Sequence, residues 1–293
     1  MFAKLSHTYQ RITVSLIFSV LLILVIWFSY YPLTKPVFVL TVMGFVSVAI
    51  WEYYQITKAK EYKPLVSIGV ATASLYVLAV FLDTQYPNFS VLPFAVFASG
   101  FLVLFVRLFA QEREPLSNLA VTVFGWAYLA IPLSLLIHIN YFFPSDSLQQ
   151  GRFWLLYILI VTKMTDTGGY FIGKYFGKHK LAKQISPKKT IEGAAGGLIF
   201  AVIASLLFPL LANAGMGQPV IQLSILQSLL LGGLISVLGQ IGDLGESLLK
   251  RDAGVKDSNQ LPGLGGILDI VDSLVFTIPL LYIFMKIEAG VSL

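Results

Sequence analysis

The chain has 293 residues, of which 57% are hydrophobic and only 12% charged, with a formal net charge of +5 and a mean hydropathy of +0.81. A soluble domain carries about a quarter of its residues as charged side chains, so the composition excludes a soluble globular protein and indicates an integral membrane protein. The sequence contains no cysteine, which excludes a disulfide framework, a thiolate metal site and a cysteine nucleophile. The positive charge is typical of basic cytoplasmic loops, so no nucleic-acid partner is expected.

Nine apolar segments predict an all-α polytopic helical bundle with about nine transmembrane helices. A bilayer crossing takes roughly 17–25 mainly apolar residues in a helix. The first segment follows Lys4 and Arg11 as in a signal peptide, but it is long for a signal core and no cleavage site follows, so we expect an uncleaved span. Pro132 is expected to kink the fifth span. The predicted spans are 12–31, 36–52, 65–82, 89–109, 119–143, 153–173, 194–212, 220–241 and 267–286.

The distribution of basic residues predicts the orientation. With a cytoplasmic N-terminus, sixteen of the twenty lysines and arginines lie in cytoplasmic segments, three lie outside and Lys163 lies within a span. The positive-inside rule then places the C-terminus outside. As a separate expectation, the chain lies in an inner or cytoplasmic membrane of bacterial type. Charged and glycine-rich motifs crowd together after Gly151. We therefore predict anchoring helices over residues 1–150 and a catalytic region over 151–293 that faces the cytoplasm.

A polar segment from Lys163 to Tyr170 lies in the cytoplasmic half of the sixth predicted span. Intramembrane lysine and aspartate are costly unless paired or hydrated, so they are functional candidates. Lys163 and Asp166 are three residues apart and can share a helix face, which makes Asp166 a candidate catalytic residue. The alternative is a structural ion pair between helices, and Gly168 and Gly169 alone are also explained by close packing.

The next candidate is the loop from Ser186 to Thr190, which leads into the glycine-rich start of the seventh span. Ammonium groups, hydroxyl groups and the free N–H groups at a helix start all favour phosphate oxygens. Ser186, Lys188, Lys189 and Thr190 are therefore candidate triphosphate ligands. The alternative is a basic stripe attracted to anionic lipid headgroups.

The largest group of charged residues begins at the end of the eighth span. Helical spacing places Asp243, Glu246 and Lys250 on one face. Eight of the fifteen acidic residues of the chain lie between Asp166 and Asp272. The group continues through Arg251, Lys256 and Asp257, the segment Pro262-Gly263-Leu264-Gly265-Gly266, and then Asp269 and Asp272.

These carboxylates predict a magnesium site. Clustered carboxylates repel one another and are costly to desolvate together. Magnesium relieves both problems, because it prefers oxygen ligands and commonly bridges one or two carboxylates to substrate phosphates. The three histidines show no zinc spacing, so zinc is not expected. Gly265 and Gly266 would let the backbone approach a phosphate closely, and the alternative is a hydrated loop with ordinary turn glycines.

Three ordered motifs resemble the phosphatidate cytidylyltransferase, or CDP-diacylglycerol synthase, family. Residues 247–272 are similar to the family signature, and Thr-Asp-Thr-Gly-Gly-Tyr at 165–170 and Ser-Pro-Lys-Lys-Thr-Ile-Glu-Gly at 186–193 resemble its two other characteristic stretches. The N-terminal half matches only as a hydrophobic block. Two positions depart from the pattern: Leu264 replaces the histidine of Gly-His-Gly-Gly, and Ile270 replaces the arginine that follows the aspartate at 269.

The resemblance implies that phosphatidate in the bilayer reacts with CTP to give CDP-diacylglycerol and pyrophosphate, in phospholipid biosynthesis. The attacking phosphate oxygen is already ionised near neutral pH, so the protein must supply alignment and charge neutralisation. Asp243 and Asp269 are assigned to Mg²⁺, which a monovalent cation could join. Glu246, Asp272 and Asp166 are further ligands or partners of the ligands. The basic residues expected to hold the phosphates of CTP or of the lipid are Lys188, Lys189, Lys250, Arg251 and Lys256.

Other functions remain open at this point. A CTP-dependent polyprenol or phytol kinase would combine a similar multispan body with charged cytoplasmic loops. A transporter would also carry intramembrane charges, although the outer halves of the spans here are apolar. An inactive paralogue is a further alternative, given Leu264 and Ile270. The sequence decides neither homodimer formation nor the acyl-chain preference.

Overall fold

The computed structural model describes residues 2–109, 114–144, 147–256 and 266–290, without the side chains of residues 2–12, 14, 15 and 87. The described chain is mainly helical. Its helices are α1 Phe2–Phe28, α2 Lys35–Lys58, α3 Val66–Gln85, α4 Leu92–Leu108, α5 Pro115–Gly125, α6 Ile131–Asn140, α7 Gly151–Phe176, α8 Ile191–Met216, α9 Ile225–Asp252, α10 Ile267–Val271 and α11 Leu274–Glu288; its strands are β1 Lys180–Ala182 and β2 Ser186–Thr190.

Each of the nine predicted spans coincides with helix in the described part of the chain. Among the described residues, six helical segments are long and apolar enough to cross a membrane: Lys35–Lys58, Val66–Gln85, Pro115–Asn140, Ile191–Met216, Ile225–Asp252 and Ile267–Glu288. Leu16–Phe28 and Leu92–Leu108 are shorter apolar helices. Helix α7 carries Lys163, Asp166 and Lys174, which lower its mean hydropathy. The structure therefore confirms a helical multi-pass membrane protein.

The fifth predicted span contains a change of helix type at the expected place. A π-helical turn, Trp126–Ala130, joins α5 to α6, and Pro132 follows at the second residue of α6. Proline lacks an N–H and cannot complete the α-helical hydrogen bond four residues back. Proline and a single π-turn inside an α-helix are both known causes of a kink, so the kink predicted for this span has two local causes side by side.

The chain divides into two compact units. The first comprises Met1–Ser134 and Asp252–Val271, and the second comprises Leu135–Arg251 and Asp272–Leu293. These contact units differ from the predicted division at residue 150, which concerned roles rather than contacts. The division into anchoring and catalytic regions stays a prediction.

The core of the first unit is built around α2. Val46, Ala49, Ile50 and Tyr54 are fully buried, and the Tyr54 hydroxyl donates a hydrogen bond of 2.8 Å to the Thr122 carbonyl oxygen. Such a hydroxyl needs a partner, because an unpaired polar group is costly in an apolar interior. This bond fixes α2 against α5. Helix α10 also packs on α2.

The second unit depends on close contact between α7 and α8. A Cβ atom at Gly168 would stand 2.6 Å from the Gly196 carbonyl oxygen, so only glycine allows this approach. Near the other end of α7, the hydroxyls of Tyr157 and Ser205 are 2.6 Å apart, and Ser205 donates to the Ser228 carbonyl oxygen of α9. Small residues and buried hydrogen bonds thus hold three helices together.

The sequence did not predict the hairpin formed by β1 and β2. The two strands pair antiparallel, with Lys180 opposite Thr190 and Ala182 opposite Ser186. The segment expected to be a loop is therefore a short, ordered β-structure within a helical protein. Its side chains are presented by paired backbone rather than by a free loop.

Candidate active site

A cavity of about 490 Å³ lies in the second unit, with walls from α7, β2, α8 and α9. Small residues of α7 and α8, including Gly169, Gly173 and Gly193, form part of its surface. The charged and amide side chains that line it are Asp166, Lys174, Lys188, Lys189, Gln240 and Asp243. Residues of the motifs at 165–170 and 186–193 therefore reach one cavity together with Asp243, whereas no described residue of the signature at 247–272 is among its lining.

The α7 motif contributes a carboxylate beside an ammonium group. The Lys163 Nζ atom lies 3.3 Å from Oδ2 of Asp166, which confirms that the two side chains share a helix face. Both are partly exposed, so the pair is not closed off from solvent or substrate. Tyr170, one turn further on, is exposed beside Lys174, whose Nζ atom lies 5.6 Å from the centre of the ring.

The β-hairpin carries the lysines to the cavity. Thr190 ends β2 and caps α8, because its hydroxyl oxygen accepts a 3.1 Å hydrogen bond from the Gly193 N–H. Lys188 is exposed and Lys189 is half-buried, and both line the cavity. Ser186 begins β2 and is not among the residues that line the cavity.

Glu192 ties this hairpin to α8. Its carboxylate accepts hydrogen bonds from the backbone N–H groups of Lys178 at 3.0 Å and His179 at 3.2 Å. The Nδ1 atom of His179 lies 2.6 Å from Oε1 of Glu192. A carboxylate in the first turn of α8 also interacts favourably with the positive end of the helix dipole. The start of the hairpin and the start of α8 are therefore held as one piece.

The closest ion pair in the cavity joins β2 to α9. The Lys189 Nζ atom lies 2.6 Å from Oδ2 of Asp243, and both side chains keep partial solvent exposure. Asp243 and Lys163 also act electrostatically on Asp166. Three lysines and two aspartates thus line one cavity, and this excess of positive charge suits a substrate that carries negative charges of its own.

A second charged pair lies one turn further along α9. The Lys250 Nζ atom is 2.7 Å from Oε2 of Glu246, and both side chains are almost completely buried. Breaking such a pair would leave an uncompensated buried charge. Arg251 is exposed, and its Nε–H group donates a hydrogen bond of 3.2 Å to the carbonyl oxygen of Ile185, the residue before β2. The basic end of α9 therefore contacts the hairpin.

Asp272 lies beside this group in the second unit. It is buried, and its carboxylate accepts a hydrogen bond from the Ser273 N–H. Asp243 and Asp166 both act electrostatically on it. The backbone of Asp272 also approaches Gly242 so closely that a Cβ atom there would collide with it. Electrostatic interaction therefore links Asp272 to Asp243 and Asp166.

The remaining predicted site residues belong to the first unit. Asp269 is exposed on α10, and Gly266 is buried immediately before that helix. Lys256 is exposed, and Asp252 nearby in sequence pairs with Lys60 at 2.6 Å. Gly265, Asp257 and Leu264 lie outside the described residues.

The carboxylates of this site fit a magnesium ion whose remaining ligands come from the substrate phosphates and water. Among the described residues, no three histidine, aspartate or glutamate side chains are grouped closely enough to hold a metal by themselves. Magnesium does not require such a cage, because it commonly takes one or two carboxylates together with substrate phosphates and water. Asp243 offers a partly exposed carboxylate in the cavity. Its partner Lys189 could bind a phosphate of the substrate instead, which would leave the carboxylate available to the metal.

Several residues of this site were missed by the sequence reasoning. Gln240 and Lys174 line the cavity, and Glu192 holds the hairpin. The helical spacing from Asp243 back to Gln240 would have indicated the first of these. Glu52 of α2 was also missed, although it is completely buried; it lay at the edge of a predicted span and resembled a loop charge.

The helices and the site together define a class: a multi-pass α-helical membrane protein with a charged cavity suited to a phosphate-rich substrate. A model of the Cytidylyltransferase family matches residues 9–288. The chain belongs to this family. The match covers almost the entire chain, including the N-terminal half that sequence motifs left unassigned.

Relatives with assigned names agree with this membership. The chain is 31% identical over 294 residues to a phosphatidate cytidylyltransferase of Chlamydia pneumoniae, covering 95% of the chain and 92% of the relative. It is 34% identical over 289 residues to that of Bacillus subtilis, covering 95% and 97%. A Staphylococcus haemolyticus protein of the same name is 38% identical over 192 residues, or 65% of the chain and 68% of the relative.

Proposed function

We propose that this chain is a phosphatidate cytidylyltransferase, which converts CTP and phosphatidate to CDP-diacylglycerol and pyrophosphate. The similarity to two relatives of that name over 95% of the chain supports this. The structural observation that carries the proposal is that the lysines of β2 and the carboxylates of α7 and α9 line one cavity, where Lys189 pairs with Asp243. A nucleotidyl transfer needs both kinds of charge at one place.

The reaction is a substitution at the α-phosphorus of CTP. A phosphatidate oxygen forms the new P–O bond, the bond from the α-phosphorus to the bridging oxygen breaks, and the electron pair leaves with pyrophosphate. Lys188 and Lys189 neutralise phosphate charge and orient the chain of phosphates in line with the attacking oxygen. The attacking oxygen is already ionised near neutral pH, so no side chain is needed as a strong base.

Asp243 is the residue of the cavity that would hold magnesium, and Asp269 of the first unit is the second predicted ligand. The ion, when bound, supplies neutralisation of the phosphates and of the developing charge on pyrophosphate. Lys189 then changes partner from Asp243 to a phosphate oxygen. Glu246 and Asp272 stay predicted as further acidic partners, and Lys250 keeps Glu246 compensated.

The proposal includes a topology. Nine membrane-spanning helices with a cytoplasmic N-terminus would place the hairpin and the charged end of α9 at the cytoplasmic face, where CTP is available. The predicted excess of basic residues on that side supports this orientation. Phosphatidate would stay in the bilayer and present only its headgroup to the cavity.

The test is an assay of the purified full chain in detergent with phosphatidate, Mg²⁺ and CTP labelled at the α- or the γ-phosphate. We expect the α-label in CDP-diacylglycerol and the γ-label in pyrophosphate. Transfer of the γ-label to lipid would instead identify a CTP-dependent lipid kinase. Ion flux without a lipid product would favour a transporter, and either outcome would overturn the proposal.

Asp243→Asn should reduce the rate by about two orders of magnitude or more, since it removes a charge from the predicted magnesium site. The matched control is Asp252→Asn, the same change nine residues along the same helix at an exposed carboxylate that pairs with Lys60. An exposed ion pair contributes little to stability, so the control should stay active. Equal activity of both variants would refute the assignment of Asp243.

A further inference from the structure

Glu52 is a completely buried acidic residue in a helix long and apolar enough to cross a membrane. Carboxylates are costly in such surroundings unless strong partners compensate them. Neighbours of Glu52 along α2, Tyr53 and Tyr54, are also buried. The position therefore needs a specific reason to carry an acidic side chain.

The hydrogen-bond partners of Glu52 come from the second segment of the first unit and lie 215 and 216 residues further along the chain than Glu52 itself. Its Oε1 atom accepts a 3.1 Å hydrogen bond from the Ile267 N–H, and its Oε2 atom accepts a 2.7 Å hydrogen bond from the Leu268 N–H. Both donors open the short helix α10, and the first N–H groups of a helix have no partners inside it. Glu52 thus caps the start of α10 from a different helix of the same unit.

This cap also determines which side of α10 faces outward. Ile267, Leu268 and Val271 are buried, whereas Asp269 is exposed. A helix of five residues has little hydrogen bonding of its own to fix its rotation. Two adjacent N–H groups of α10 bind the two oxygens of one carboxylate of α2. This arrangement restrains both the rotation of α10 about its axis and its position along α2.

We propose that Glu52 is a positioning residue that sets where the Asp269 carboxylate stands as a magnesium ligand. The inference rests on the proposed function, because Asp269 is a predicted ligand of that reaction. By this proposal, α2, a helix of the predicted anchoring region, positions a ligand of the metal. The Glu52 carboxylate accepts hydrogen bonds from backbone N–H groups of α10 and acts through this helix.

The test compares Glu52→Gln with Tyr54→Phe in the full chain. The glutamine keeps the size of the side chain but has one acceptor oxygen, so its NH₂ group would face one of the two N–H donors. The control removes a buried hydrogen bond from the same helix, the bond from Tyr54 to Thr122. Both variants should lower thermal stability, and only the first should disturb α10.

Two measurements do not depend on activity. Hydrogen exchange of the peptide that covers residues 266–272 should speed up in Glu52→Gln and not in Tyr54→Phe. The affinity for Mn²⁺, followed by electron paramagnetic resonance as a probe of the magnesium site, should fall about tenfold, as is typical when a residue that orients a metal ligand is lost. The control should bind Mn²⁺ like the wild type.

A double variant separates positioning from general damage. If Glu52 acts through Asp269, adding Glu52→Gln to Asp269→Asn should weaken Mn²⁺ binding no further, whereas independent effects would add. Additive losses, or Mn²⁺ binding equal in Glu52→Gln and Tyr54→Phe, would overturn the inference. If Glu52→Gln fails to fold, Glu52→Asp keeps the charge but shortens the reach, and the same comparisons apply to it.

The outcomes also distinguish this inference from the proposed function. A wild-type protein that makes no CDP-diacylglycerol would refute the proposed reaction, while metal binding and hydrogen exchange would still report on Glu52. An active wild type whose Glu52→Gln variant binds Mn²⁺ normally would refute the inference alone.

Discussion

Lys189 and Asp243 come from separate motifs and meet at 2.6 Å in the cavity. Each was a candidate for its chemistry: the lysine for phosphate, the carboxylate for magnesium. The structure adds that the charge of each side chain compensates the charge of the other in the absence of substrate. Neither charge is then left alone in a partly desolvated place, where an unpaired ion is costly.

Replacing Lys189 should weaken CTP binding more than it lowers stability. Lys189→Met keeps most of the length of the side chain but loses the ammonium group, and a hydrogen bond to a charged group contributes about 1.5–3 kcal/mol. We expect KM for CTP to rise roughly ten- to a hundredfold. The measurement is steady-state kinetics at varied CTP concentration.

Lys183→Met is the matched control, because Lys183 is an exposed lysine between the two strands of the same hairpin. It should leave KM for CTP near the wild-type value. A KM that rises equally in both variants would indicate a diffuse basic surface rather than a specific phosphate contact.

At the scale of secondary-structure elements, the hairpin depends on the start of α8. Glu192 accepts hydrogen bonds from two backbone N–H groups and lies against the His179 ring. Thr190 caps the same helix. Because Lys188 and Lys189 directly precede Thr190 in β2, these attachments help to determine where the two ammonium groups lie in the cavity.

Glu192→Gln should loosen the hairpin and raise KM for CTP several-fold, with a smaller effect on kcat. An amide has one acceptor oxygen where the carboxylate has two, so at least one backbone contact is weakened. Hydrogen exchange over residues 178–190 should speed up in parallel. The control is Glu61→Gln, an exposed glutamate after α2, and similar exchange in the two variants would contradict this role.

At the scale of the whole molecule, the orientation in the membrane can be tested on the natural background, since the chain has no cysteine. Cysteine introduced at Lys183 should react with a membrane-impermeant maleimide only after the membrane is opened. Cysteine introduced at Gln218, exposed between α8 and α9, should react in intact cells or right-side-out vesicles. The reverse pattern would refute the proposed cytoplasmic site.

Much of the architecture was predictable because lipid imposes a simple requirement. Every apolar segment of sufficient length must form a helix, since only a helix satisfies its own backbone hydrogen bonds inside a bilayer. The nine predicted segments therefore coincide with helices, and the shared face of Lys163 and Asp166 followed from helical spacing. The hairpin was not predictable in this way, because its three- and five-residue strands are stabilised by α8 rather than by their own pattern.

The membrane character, the helical segments and the kinds of residue that could serve a nucleotidyl transfer could be predicted from the amino-acid sequence alone. These depend on composition and on local periodicity, which a single chain displays directly. The pairing of Lys189 with Asp243, the place of Gln240 and Lys174 in their cavity, and the capping of the helix of Asp269 by Glu52 became apparent only in the folded chain. These contacts join residues far apart in the chain, and they exist because buried polar groups must find partners wherever packing brings the helices together.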